Sequence, residues 1–356
     1  MMRRREFSAL LLSSLCARGL RGARFQQAAL EKITADIKHG AYPNTHALLI
    51  EHDGRLVYEQ YFTGTDERWG DSLGTVTFKQ DSLHDLRSCS KSVTSAILGI
   101  ALGADYAKAL ERPIGSYFPN LKLRPELDSV KLKHILTMTA GLEWNEMDVP
   151  YTDSKNDEIQ MSTAKDPVAL VLSRPLRHKP GEVWYYCGGA TQVLAGVVRQ
   201  ITGKPLDVYG KEVLFTPLGI TNYEWILYKN AQPPVPIAAS GLRMRAVDLA
   251  RFGSVYLHGG KWEDRQIVPA AWVEASMQRH VPSLGAWSGP AKYGYGYQWW
   301  IGSPGGIDVA AAVGNGNQRV FVAQKERVVV TVFAGEYNKF AGHSERLYGA
   351  VMAARA

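Results

Sequence analysis

Residues 86–103 read LRSCSKSVTSAILGIALG, with Ser88, Ser90 and Ser92, Cys89 and Lys91 directly ahead of a long apolar run. Polar groups at the mouth of a buried helix cost desolvation unless each has a partner or a task. Val93, Ala96, Ile97, Leu98, Ile100, Ala101 and Leu102 are apolar on nearly every side of a helix, so the spacing predicts a central, dry one. Ser88 and Lys91 are three apart and share a face of it. With Ser88 at the opening turn, its hydroxyl lies beside free backbone N–H groups and the positive end of the dipole. Burial lowers the pKa of Lys91, which then accepts the serine proton. The result is an activated nucleophile that needs no histidine. Ser-x-x-Lys alone decides little, since Ser162 and Lys165 repeat it. An N-capping serine with a snorkelling lysine has the same pattern.

Two further stretches supply partners. In PGEVWYYCGGATQVLAGVV (180–198), Tyr186 stands just before Gly188-Gly189 and another apolar helix. A tyrosine on such a turn can share a proton with Lys91 and later protonate a leaving group. Trp184, Tyr185 and Tyr186 would equally make an aromatic core cluster. In AAVGNGNQRVFV (311–322), Gly314-Asn315-Gly316 joins the end of one expected strand to the start of the next. Glycines there allow close backbone approach to a ligand, and strand-edge N–H groups can polarise a carbonyl. A plain glycine turn is the alternative.

Around these stretches the chain alternates strand and helix signals. FQQAALEKITADIKHG (25–40) has helical spacing and ends at Gly40. Asp53-Gly54 separates two β-rich runs and predicts a hairpin. Residues 105–235 read as mostly helical, including VKLKHILTMTAGLEWNE (130–146) and a helix ending at Gly203. Helices follow at 245–260 and 269–280, then strands in YGYGYQWWIG (293–302), QRVFVAQ and RVVVTVFAG, and a last helix near 344–356. Strands at both ends with helices between imply an α+β fold: a sheet domain from residues 25–104 plus 236–356, and a mainly helical subdomain at 105–235.

Composition narrows the function classes. Of the formal net charge of +7, residues 1–24 carry six arginines against one glutamate, leaving +2 for the rest. No basic stripe remains to suggest nucleic acid as a partner. No run approaches the roughly 18 apolar residues of a membrane span. The segment MMRRREFSALLLSSLCARGL, with Arg4-Arg5-Glu6-Phe7, resembles a twin-arginine export leader and points to the periplasm. It fits an organellar presequence or a basic tail as well, and without export the protein is cytoplasmic. Cys16, Cys89 and Cys187 make no disulfide framework, and Cys89 should point away from the Ser88 face and pack as a small hydrophobe. Nine histidines show no His-Glu-x-x-His and no zinc spacing, so neither metal nor cofactor is expected.

Seven stretches in order, HDGRLVYEQYF, LRSCSKSVTSAILGIA, HILTMTAGLEWNE, PGEVWYYCGGATQVLAGVV, LFTPLGI, GLRMRAVDLARFGSVYLHGG and GNGNQRVFV, resemble the serine β-lactamase and penicillin-binding-protein superfamily. The likeness covers most of residues 25–355 and is greatest to the class C-like branch of esterases and amidases, including the aminohexanoate-dimer hydrolases. It implies an antiparallel sheet flanked by helices, an inserted helical subdomain, and an active site in the groove between them. It implies Ser88 as the acylated nucleophile, Lys91 as its proton acceptor and Tyr186 as the tyrosine of the second motif. The N–H groups of Ser88 and Asn315 would form the oxyanion hole, and Trp144 and Tyr151 would line the acyl pocket.

The chain also departs from the pattern. Gly188 stands where the second motif of β-lactamases and transpeptidases carries asparagine, and Ala312-Val313-Gly314 replaces Lys-Thr-Gly. That lysine ordinarily attracts a substrate carboxylate, a charge-assisted contact contributing about 1.5–3 kcal/mol. A small ester or amide, uncharged or differently charged and cleaved through an acyl-enzyme on Ser88, is therefore the expected substrate. Tyr297, Trp299 and Trp300 suit a small apolar acyl or alcohol group there, or belong to the core. A β-lactamase or D-Ala-D-Ala carboxypeptidase would need another cation, such as Arg243 or Arg245. A non-catalytic ligand-binding member is the remaining alternative. The sequence does not set the oligomeric state.

Overall fold

The computed structural model describes residues 25–339 and 342–356. The expected leader and Cys16 lie outside the described residues. Seven antiparallel strands from the two ends of the chain form the main sheet: β1 (Thr45–His52), β2 (Arg55–Tyr61), β8 (Gly294–Tyr295), β9 (Trp300–Gly302), β10 (Val309–Gly314), β11 (Gln318–Ala323) and β12 (Val328–Ala334). Their order is β8-β9-β10-β11-β12-β1-β2. Both Asp53 and Gly54 have positive φ, 52° and 76°, as the β1–β2 hairpin turn demands. Smaller pairings join β3 (Thr63–Arg68) to β4 (Asp71–Thr77), and β5 (His84–Asp85) and β6 (Tyr223–Trp225) to β7 (Leu242–Met244).

The sheet is buried on both faces, and its strands show why in a period of two. Leu48 and Ile50 of β1, with Val328, Val330 and Val332 of β12, face α1 (Gln27–Lys38) and α6 (His343–Ala353). Ala47, Leu49, Val329 and Phe333 face the larger core built with α2 (Ser90–Leu102), α4 (Gly188–Thr202) and α5 (Ala246–Leu257). The continuous helical run Arg87–Leu110 has the length and hydropathy of a membrane span. The protein interior claims its apolar surface instead: Val93, Ala96, Ile97 and Leu98 are fully buried. The valine, isoleucine and leucine side chains each contribute roughly 1.5–3 kcal/mol.

Two stretches depart from the sequence reading. YGYGYQWWIG is a tight hairpin of β8 and β9 rather than one strand, with Tyr295 paired to Trp300. Gln298 takes φ 64° in the turn, and a Cβ on Gly296 would overlap the Ser276 carbonyl, so the chain reverses there. The segment 130–146 is helical only over Leu132–Leu136. Met138 and Gly141 turn at positive φ, and the chain then runs on to Trp144 and Glu146.

Candidate active site

A short 3-10 turn, Arg87–Cys89, precedes α2 and carries Ser88. Arg87 sits at φ 48°, a left-handed conformation that costs a non-glycine residue and persists only when its neighbours hold it. They do. Its guanidinium pairs with Glu67 and with Asp85 at 3.3 Å. It also lies over the rings of Trp69 and Tyr337, 4.9 and 4.8 Å from their centroids. The turn is pinned from the other side by β10, because Gly314 lies so near Leu86 that a Cβ would overlap its carbonyl oxygen. The close approach expected of Gly314 is thus made to the turn that bears Ser88.

Ser88, Lys91 and Tyr186 come together. Lys91 Nζ is 2.9 Å from Ser88 Oγ and donates to the Ala239 carbonyl at 3.0 Å. The Tyr186 hydroxyl donates to Ser88 Oγ at 2.7 Å. Burial lowers the pKa of Lys91 while the charges of Glu146 and Glu158 oppose that shift. Burial, with the Glu146 charge, raises Tyr186 well above the usual phenol range, so it stays a neutral donor. The second Ser-x-x-Lys has no comparable setting: Ser162 bonds the Ile159 carbonyl of its own helix, and Lys165 is exposed.

Glu146 and Glu158 are the site groups the sequence reading missed. Oε2 of Glu146 accepts from Trp144 Nε1 at 2.8 Å and from the Gly188 backbone N–H at 2.6 Å, and Oε1 accepts from the Tyr151 hydroxyl at 3.0 Å. A Cβ on Gly188 would stand 2.9 Å from Oε2, so glycine here makes room for the carboxylate. Glu158, on α3 (Asp157–Thr163), accepts from Ser240 Oγ at 3.1 Å. Its carboxyl is pushed up to about 8 by burial and by Glu146, to which it hydrogen-bonds. The only sequence signal was Gly188 itself, a missing side chain that implies a substitute.

Trp144, expected in the acyl pocket, is instead 2% exposed and holds Glu146. Gly188 likewise faces Glu146 rather than open space. Tyr151, Gly314 and Asn315 do border the main cavity, about 730 Å³, together with Ser88, Tyr186 and Trp300. Trp287 stacks parallel to Tyr186 in its wall at 5.9 Å between centroids. Tyr297 and Trp299 belong to the core. A second recess of about 340 Å³ also opens on Ser88, with Tyr151 and Asn315 common to both. Cys89 is fully buried and burial pushes its thiol up to about 12, while the Cys187 thiol, also buried, is raised too.

Neither arginine offered as a replacement cation is free. Arg243 binds Asp85 at 2.6 Å and Glu224 at 3.1 Å. Arg245 binds both carboxylate oxygens of Asp248 at 2.6 and 2.9 Å. Arg319, which reaches the cavity, is committed to Glu345 and to the Gly314 and Gln318 carbonyls.

Comparison with known proteins gives a family match over residues 36–351 to the model described as Beta-lactamase. The 6-aminohexanoate-dimer hydrolase of Paenarthrobacter ureafaciens is 25% identical over 271 residues, covering 72% of this chain and 64% of that one. The N-acetylmuramyl-L-alanine amidase of Bacillus subtilis is 22% identical over 206 residues, 55% of this chain and 46% of the amidase. The chain thus matches about half to two thirds of the length of these curated relatives. Among solved structures, EstCE1, a hydrolase with promiscuous acyltransferase activity, superposes with a TM-score of 0.71 at 17% identity, covering 92% of this chain and 97% of that one. At that identity the likeness shows the fold.

Proposed function

The chain belongs to the Beta-lactamase family, and from that premise we propose that it is a serine hydrolase cleaving a small uncharged ester or amide through an acyl-enzyme on Ser88. The carrying observation is Ser88 Oγ held 2.9 Å from Lys91 Nζ and 2.7 Å from the Tyr186 hydroxyl where two cavities meet. Neutral Lys91 uses one N–H on Ala239 and turns its lone pair to the serine hydroxyl, taking the proton as Oγ attacks the carbonyl. Tyr186 then passes a proton toward the leaving group. Ser88 lies in an opening helical turn, where N–H groups lack intrahelical acceptors, and Asn315 follows the last residue of β10. Those two N–H groups stabilise the oxyanion. Two recesses at Ser88 give room to both sides of the scissile bond. Water then hydrolyses the acyl-enzyme and restores Ser88.

The preference for uncharged substrates has a positive cause as well as a missing cation. Where related enzymes offer an amide beside the lysine, this site holds the buried Glu146 carboxylate. Arg243, Arg245 and Arg319 are all paired. Short-chain p-nitrophenyl esters and a serine-reactive phosphonate, followed by mass spectrometry of the adduct, test the assignment. Turnover and a label on Ser88, both lost in Ser88→Ala, are expected. A label elsewhere, or turnover surviving Ser88→Ala, would overturn it.

A further inference from the structure

A second constellation lies away from Ser88, where β1, β3 and β5 bring together His46, Asp66 and His84. Both histidines are fully buried and Asp66 is 6% exposed. His46 Nδ1 is 2.9 Å from His84 Nε2, His84 Nε2 is 3.5 Å from Asp66 Oδ1, and all three atoms lie within 4.8 Å of one another.

Hydrogen-bond accounting fixes what these atoms present. The other nitrogen of His84, Nδ1, is 3.0 Å from the Asp85 carbonyl oxygen, which can only accept. His46 Nε2 is 3.0 Å from Asn44 Oδ1. The Asn44 amide cannot be reversed, because its Nδ2 donates to the Thr65 carbonyl at 2.8 Å and its Oδ1 accepts from the Thr65 N–H at 3.0 Å. Each outer ring nitrogen therefore carries its ring's proton. The inner nitrogens face each other with lone pairs, and a carboxylate oxygen stands beside them. Three acceptors converging in a buried spot favour a cation between them.

We propose that His46, His84 and Asp66 form a structural site for a divalent cation of the zinc type. Two imidazole nitrogens and one carboxylate oxygen are a donor set suited to such an ion. Ligand atoms of a tetrahedral zinc site stand about 3.3 Å apart. The His84–Asp66 spacing fits as it stands, the His46–His84 pair needs to open by a few tenths of an ångström, and His46 and Asp66 stand within 4.8 Å of each other. The oxygens on the outer nitrogens are the partners that orient histidine ligands in metal sites. Stacking holds the rings as well: His46 lies on Phe78 at 4.1 Å and His84 on Phe333 at 4.7 Å between centroids. The Tyr337 hydroxyl donates to Asp66 Oδ1 at 2.9 Å, and water completes the fourth position.

The bound ion clamps three strands and, through Tyr337, the segment leading to Asn338. That residue's backbone N–H donates to Asn315 Oδ1 at 2.7 Å, and its Oδ1 accepts from Asn315 Nδ2 at 2.8 Å. Its effect is on stability and does not depend on the hydrolase assignment.

The test uses the untagged full chain after chelator treatment, titrated with Co²⁺ and followed by visible absorption, with Zn²⁺ as competitor and thermal unfolding as a second readout. One saturable equivalent, displacement by Zn²⁺ and a raised Tm are expected. His46→Gln and Asp66→Asn should weaken binding by at least the 10–100-fold typical of losing a partner that merely orients a ligand. No saturable cobalt spectrum and no zinc-dependent Tm in the wild-type chain would overturn the site, whatever the variants do. So would binding that folded His46→Gln and Asp66→Asn retain undiminished.

Discussion

Glu146 is the residue on which the chemistry of Lys91 turns. Burial drives the lysine toward its neutral form, and the adjacent carboxylate pulls it back toward the ammonium. Removing that charge lowers the lysine pKa further, so the proposed proton acceptor stays neutral to lower pH. The acid limb of kcat/KM in Glu146→Gln is therefore expected to move to lower pH, measured on a neutral p-nitrophenyl ester. A limb that stays put, or moves upward, would separate Glu146 from Lys91. Glu158 gives a stability signature. Its folded pKa of about 8 lies above the ordinary 4.5, so the folded chain keeps a proton that the unfolded chain loses. That group makes stability fall as pH rises from about 4.5 through about 8. Glu158→Gln removes the loss, and the variant should gain stability relative to wild type between pH 5 and pH 8.5 in urea unfolding. A constant difference across that range would place the proton elsewhere.

At the scale of elements, the site depends on β10 lying against the Arg87–Cys89 turn. A methyl at position 314 meets the Leu86 carbonyl and stands 3.3 Å from the Cys89 N–H, so strand and turn must separate. Gly314→Ala should lower stability by roughly 1–3 kcal/mol, the range for overpacked sites. It should also lower kcat more than it raises KM, because the two proposed oxyanion donors lie on either side of the contact being pushed apart. Equal stability and unchanged kcat would show that the contact does not set the site. The same element scale explains where the sequence was silent about Glu146. It arrives on a stretch whose apolar pattern reads as helix but which leaves the helix after Leu136, through residues at positive φ.

Across the whole molecule, Arg243, Arg245 and Arg319 are committed to internal carboxylates and carbonyls, the exposed Lys339 and Arg346 also border the cavity, and a buried carboxylate stands behind Ser88. The buried carboxylate beside Lys91 therefore opposes an anionic acyl group. For matched acyl groups differing only in a terminal carboxylate, neutral esters should show kcat/KM higher by roughly 10–150-fold, equivalent to the about 1.5–3 kcal/mol of a missing charge-assisted contact. Equal rates would mean that another cation reaches the substrate. The two cores on either side of the sheet hold this arrangement together. Leu48 and Ile50 belong to one, Ala47 and Leu49 to the other, and the strand alternates between them residue by residue.

Local sequence by itself determined the turn that bears Ser88, the lysine on its face, the Asp53-Gly54 hairpin, the glycine end of α4 and the period-two strands. Each of these is fixed by groups a few residues apart, so composition and spacing carry the information. The tertiary structure alone decided the rest. It placed Glu146 in the space left by Gly188, paired it with Glu158, moved Trp144 from the expected pocket wall to a carboxylate, and occupied both candidate cations. It also drew His46, Asp66 and His84 into one buried cluster, although their spacing matches no metal motif. These contacts join residues on separate elements, and their energies come from burial and from the charges that burial leaves unscreened. Neither exists until the sheet has closed its two cores.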